Sequence, residues 1–76
     1  MSQSKSTKES KALFQAQTYG QMGLLESDQA NLAEAIALYE KAFLIYQKYG
    51  KEASMATMLN NIALALTEKG EYQEAL

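Results

Sequence analysis

Cysteine is absent from the 76 residues, so neither a disulfide nor a thiolate metal ligand is available. Histidine is absent too, which removes the commonest general base and the commonest metal ligand together. There is no arginine, and the formal net charge is −2. A nucleic-acid surface relies on arginine forks within a basic patch, so that class of partner is excluded. No apolar run approaches the roughly 20 residues needed to cross a bilayer, and Met1 is followed by polar residues instead of a signal peptide. Membrane insertion is not expected, and the compartment implied is the cytosol. No phosphate loop, paired ligand motif or nucleophile elbow occurs. Glu71 and Glu74 form a carboxylate pair, but at a helix start acidic side chains simply favour the positive dipole end. The expectation is a protein with no catalytic residue, no metal and no cofactor.

What is present is helical periodicity, strongest from Asn31 to Gly50. Leu32, Ala35, Ile36, Tyr39, Ala42, Phe43, Tyr46 and Tyr49 recur at spacings of three and four, the period of an amphipathic helix. Asn31 and Glu34 have the spacing of a capping box at its start. Gly50 supplies the left-handed stop, which only glycine enters without a steric cost. Small residues at 35 and 42 among large ones suit close, staggered contact with two neighbouring helices.

Two further helices flank this one. Residues 1–10 are polar and slightly basic and read as a disordered leader, with a helix start near 7 or 11. Leu13, Ala16, Tyr19, Gly20, Gly23 and Leu24 then mark a helix over about 11–27, with Gly23 expected against Ala35 of the next helix. Its partner is reached through a short turn at 27–30, so the two form an antiparallel hairpin. Residues 53–69 form the third helix, with Met55, Met58, Leu59, Ile62, Ala63 and Leu66 as the main stripe toward the second helix. Leu64 and Ala65 widen that stripe toward a fourth helix. Gly70 is expected to end the third helix, and Glu71 to Leu76 to open the fourth, with Tyr72, Ala75 and Leu76 covering only the last turn of the third.

A self-similarity with a 40-residue period runs through the chain, setting Tyr19, Met22 and Gly23 against Leu59, Ile62 and Ala63. Helix pairs repeating at 34 to about 42 residues stack into solenoids, because no single unit buries its apolar face alone. In its second half LNNIALALTEKGEYQEAL, and in Tyr19, Met22, Gly23, Ala35, Tyr39 and Ala42 of the first, the chain resembles the tetratricopeptide repeat. The spacing is similar to the longer-helix variant of kinesin light chains. Glu26 stands where a tyrosine or leucine is usual, and the closing proline is missing. A three-helix microtubule-interacting-and-trafficking domain and a generic helical bundle are the other all-α readings.

The resemblance implies an all-α fold of antiparallel hairpins stacked as a right-handed solenoid, with a helical repeat domain over 11–76. Repeat one would cover about 16–50 and a partial repeat two about 56–76. It also implies a protein or peptide partner held on the concave face. Carried over by position, that face comprises Gln17, Gly20, Gln21, Leu24 and Asp28 in repeat one, and Thr57, Asn60, Asn61, Leu64 and Glu68 in repeat two. Asn61 matches the asparagine that hydrogen-bonds a peptide backbone in this family, where a carboxamide both donates and accepts. The apolar width of the third helix further points to a homo-oligomer, or to a piece of a longer solenoid, with Met55, Met58, Ile62 and Ala65 as the self-association surface.

Overall fold

A computed structural model describes the backbone of residues 2–75 and the side-chain surroundings of 7–71. Three helices follow one another: α1 over Ser2–Asp28, α2 over Leu32–Lys48 and α3 over Glu52–Ala75. They pack as two antiparallel hairpins sharing α2, with extents of 56 × 19 × 12 Å.

The stripe of α2 fixes this arrangement. Leu32, Ala35, Tyr39 and Ala42 are buried, and Ile36, Phe43, Ile45 and Tyr46 pack at the edges of the same cluster. Alanine at 35 and 42 lets neighbouring backbones come close, and Tyr39 fills the gap between them. From α1 the core receives Ala16 and Gly20; from α3 it receives Met58 and Ala65.

Gly23 is buried beneath the Tyr39 ring, so its close neighbour is that aromatic face. A methyl built on Gly23 would lie 2.6 Å from Tyr39 Cε1 and 2.7 Å from Cδ1. The glycine thus makes a notch that the ring occupies. Gly20 lies on another flank of α1 and meets the Met58 side chain of α3, so its hollow is filled from within the chain.

Both inter-helix turns use the same backbone device. Asn31 N–H donates to Glu26 C=O at 2.8 Å and Ala30 N–H to Ser27 C=O at 3.0 Å. Lys51 N–H donates to Tyr46 C=O at 2.9 Å and Gly50 N–H to Gln47 C=O at 3.2 Å. These are Schellman turns, each with a left-handed residue at C′: Ala30 at φ 64° and Gly50 at φ 66°.

Four expectations need correction. Asn31 makes no side-chain cap of α2. Its Nδ2 donates instead to Glu26 Oε1 at 2.8 Å, a charge-assisted bond that holds the side chain toward the end of α1 and away from the first-turn N–H groups its oxygen would cap. α1 begins at Ser2, so the polar residues expected to form a leader are helical from there. Adding turns to an existing helix avoids the cost of nucleation, and no proline or glycine intervenes before Gly20. Gly70 does not stop α3, which continues through it to Ala75 without a fourth helix opening at Glu71. A glycine ends a helix only when it takes the left-handed conformation, and Gly70 stays helical. Finally, α3 meets α2 by another flank than expected. Met58 and Ala65 are inside, while Leu59, Ala63 and Leu66 face outward. The side chains of Tyr72, Ala75 and Leu76, expected to cover the end of this helix, lie outside the described residues.

Candidate functional site

α1 and α3 lie side by side on α2, with Gly20 touching Met58 where they approach each other. Along α1, Gln17, Gln21, Leu24 and Asp28 are all exposed, spaced by four, three and four residues, which keeps them on one face. Along α3, Thr57, Leu64 and Glu68 are exposed and Asn61 is half-buried, at the same spacing and 40 residues later (17 to 57, 28 to 68). The two helices therefore carry matching sets of residues, and Gly20 of α1 meets Met58 of α3 where they approach.

Asn60 stands apart from that set. It is exposed, and it lies about 100° round the helix from Asn61. Asn61, half-buried next to the Met58 side of α3, is the better placed of the two carboxamides. Thr57 turns its hydroxyl back to donate to Ala53 C=O at 3.1 Å.

Burial raises the Tyr39 hydroxyl above its usual pKa of 10.0, the Ser27 side chain opposes that by hydrogen bonding, and the negative charges of Asp28 and Glu68 raise it further. Those two carboxylates come from different helices and bear on one phenol. Sequence reading missed the contact of Met58 with α1; the sign available was Gly20, a residue leaving room for a side chain from elsewhere.

The residues read as a self-association surface divide. Met58 and Ala65 are buried in the chain's own core, at 8% and 1% exposure, and Met55 and Ile62 are half-buried. The large apolar side chains that α3 exposes among the described residues are Leu59, Leu64 and Leu66, each more than half accessible. On the outer flank of α1, Phe14, Met22 and Leu25 are likewise exposed. An open groove lined by Lys8, Lys11, Phe14 and Thr18 runs along that side and includes none of the predicted site residues.

Among the described residues, no group of acidic side chains is placed to hold a metal ion. No helix of the described residues is long and apolar enough to cross a membrane. No curated protein and no solved structure matches the chain. A family model described as a tetratricopeptide repeat matches residues 14–76.

Proposed function

The chain belongs to the tetratricopeptide-repeat family, a non-catalytic scaffold family, and on that premise we propose that it holds an extended peptide of a protein partner in the cleft between α1 and α3. The observation that carries this reading is the pair of matching residue sets. Gln17, Gln21 and Leu24 on one face of α1 repeat as Thr57, Asn61 and Leu64 on one face of α3, and Gly20 meets Met58 where the two helices approach. Carboxamides on both sides pair with peptide N–H and C=O groups, and Leu24 and Leu64 offer apolar contact to alternate side chains. Asp28 and Glu68 give the far end a negative charge that favours a cationic side chain of the peptide.

The experiment is a peptide-display selection against the whole chain, followed by calorimetric titration of the selected peptide. Asn61→Ala should weaken binding by about 1–3 kcal/mol with the fold intact, because a peptide group loses its hydrogen-bonding partner. Asn60→Ala should have little effect. Equal affinities for Asn61→Ala and the parent chain would move the site off this cleft. A second reading, favoured by the exposed Leu59 and Leu66, is structural: α3 packs against a further helix, of a second copy or of a longer solenoid.

A further inference from the structure

The outer flank of α1 carries an open apolar stripe. Phe14, Met22 and Leu25 are 65%, 46% and 57% exposed. With Thr18 they recur at spacings of four, four and three, which keeps them on one side of the helix. The polar side chains within the stripe already have partners inside α1. Thr18 Oγ1 donates to Phe14 C=O at 3.1 Å, and Gln15 Nε2 donates to Tyr19 Oη at 3.3 Å. Covering the stripe therefore leaves the Thr18 hydroxyl satisfied, and the usual penalty for burying it does not arise.

Opposite charges border the stripe at its two ends. Lys8 and Lys11 stand at the N-terminal end, beside the groove that Phe14, Gln15 and Thr18 line. Neither is ion-paired; the pair found among the described residues joins Lys51 to Glu9. At the other end lies Glu26, whose hydrogen bond from Asn31 uses only Oε1. Lys8 and Glu26 are 18 residues apart, five whole turns at about 3.6 residues per turn, so they border the stripe on the same side. A two-fold pair requires that coincidence. When an axis relates two antiparallel helices, each side of one meets the same side of the other, end for end. With Thr18 at the axis, Phe14 lies level with Met22 of the other copy and Lys11 with its Leu25, while Lys8 comes within a turn of its Glu26. A parallel pair would set Lys8 against Lys8 and Glu26 against Glu26.

We propose that the chain forms an antiparallel homodimer through α1. Thr18 lies on the two-fold axis, Met22 and Leu25 of each copy sit in the groove beside Phe14 of the other, and Lys8 pairs with Glu26 at both ends. Apolar burial supplies most of the attraction, and the two exposed ion pairs set the direction. The contact runs about 27 Å along the helix, which is short beside an obligate interface, so the dimer is reversible. Self-association thus belongs to α1, whereas Met58 and Ala65 of the surface expected on α3 are buried in the core. The stripe includes none of Gln17, Gln21, Leu24 and Asp28, so the dimer stands whether or not their face takes a peptide.

Sedimentation equilibrium of the whole chain tests this, and should find monomer and dimer with nothing larger, because a two-fold interface closes on itself. Phe14→Glu should weaken the dimer at least about tenfold. Lys8→Glu and Glu26→Lys should each weaken it about tenfold, since each turns both ion pairs into repulsions. Mixed in equal amounts, those two variants should associate to within about threefold of the parent, because every pair again joins opposite charges. Circular dichroism checks that Glu26→Lys, which gives up the Asn31 hydrogen bond, keeps its helices. If it does not, crosslinking decides, since the chain has no cysteine of its own. Thr18→Cys should then link to its counterpart on mild oxidation, and Leu44→Cys, on the exposed face of α2, should not. A chain that stays monomeric at millimolar concentration would overturn the proposal, as would a mixture no tighter than its two components. So would oligomers that grow past the dimer, or crosslinking through Leu59→Cys in place of Thr18→Cys, either of which moves the association to α3.

Discussion

α1 and α3 stand one repeat apart and both rest on α2, yet they turn different flanks to it. α1 uses the side of Tyr19 and Gly23; α3 uses the side of Met58 and Ala65. The fillings differ as well. The α1–α2 interface closes around a rigid aromatic ring held in a glycine notch, with atoms too near for a single added carbon. On the α3 side the core closes around a methionine, whose Cε and Sδ lie 3.4 and 3.6 Å from where a methyl on Gly20 of α1 would sit. A ring tolerates little change of shape, whereas an unbranched thioether adapts to irregular space. One interface is specified by shape and the other by volume.

The largest break in this comparison comes from removing the ring. Tyr39→Ala should cost about 3–5 kcal/mol, as other buried aromatic truncations do, and urea denaturation should find the chain mostly unfolded. Met58→Leu keeps volume without keeping shape and should cost less than about 1.5 kcal/mol. If Met58→Leu proves as damaging as Tyr39→Ala, both interfaces are shape-specific and the distinction fails.

The helical glycines sharpen the same point at smaller cost. Gly23→Ala should destabilise by about 1–3 kcal/mol, since the clash with Tyr39 outweighs a helix-propensity gain of about 1 kcal/mol. Much of that loss should vanish in a Tyr39→Leu background. Gly20→Ala meets only the flexible end of Met58 and should be close to neutral. Gly70→Ala meets nothing within 4 Å and should stabilise by up to about 1 kcal/mol. Thermal melts of the three variants should rank in that order.

A third test leaves neutral pH untouched. Burial lifts the Tyr39 pKa above 10.0, with Asp28 and Glu68 adding to the rise and Ser27 opposing it. The neutral phenol is the form that folding favours, so its contribution is whole below the unfolded value. It is lost as pH rises from there through the raised folded value. Stability should fall more steeply above pH 10.0 for the parent chain than for Tyr39→Phe. Parallel curves would mean that the hydroxyl reaches water.

The parts of this fold that could be read in the sequence are those set by local period. The stripe of α2 was legible because eight residues keep one face, and Gly50 because its stop needs no partner. That 17, 21, 24 and 28 share one face of α1, and 57, 61, 64 and 68 one face of α3, was legible for a related reason: their spacing sets it without reference to packing. What depends on which flank meets which neighbour was not legible. α3 is apolar over much of its circumference, so periodicity alone does not say that Met58 and Ala65 go inside while Leu59 and Leu66 stay out. Asn31 was misread for a similar reason, since its partner Glu26 lies across the turn and outside the helix it was expected to cap.

The smallest effects belong to the turns, where the comparison is cleanest. Both close with the same two hydrogen bonds, from C″ to C3 and from C′ to C2, and both place C′ at nearly the same φ, 64° and 66°. Only the residue differs, alanine at 30 and glycine at 50. An L-residue in the left-handed region crowds its Cβ against the carbonyl oxygen, at a cost of about 1–2 kcal/mol, while glycine pays instead in unfolded-state entropy. A methyl on Gly50 would touch nothing within 4 Å, so Gly50→Ala reports backbone strain without a packing term. It should lower stability by about 1 kcal/mol, or about 4–8 °C in Tm for a chain of this size. Ala30→Gly should move the other way by a similar or smaller amount, because the strain is relieved while the Asn31–Glu26 hydrogen bond across the turn remains. The double variant Ala30→Gly with Gly50→Ala exchanges the two residues between equivalent turns and should melt within about 2 °C of the parent, since sites this independent are close to additive. A large departure in the double variant would mean that the turns are coupled through α2, and that the two hairpins do not fold as equivalent units.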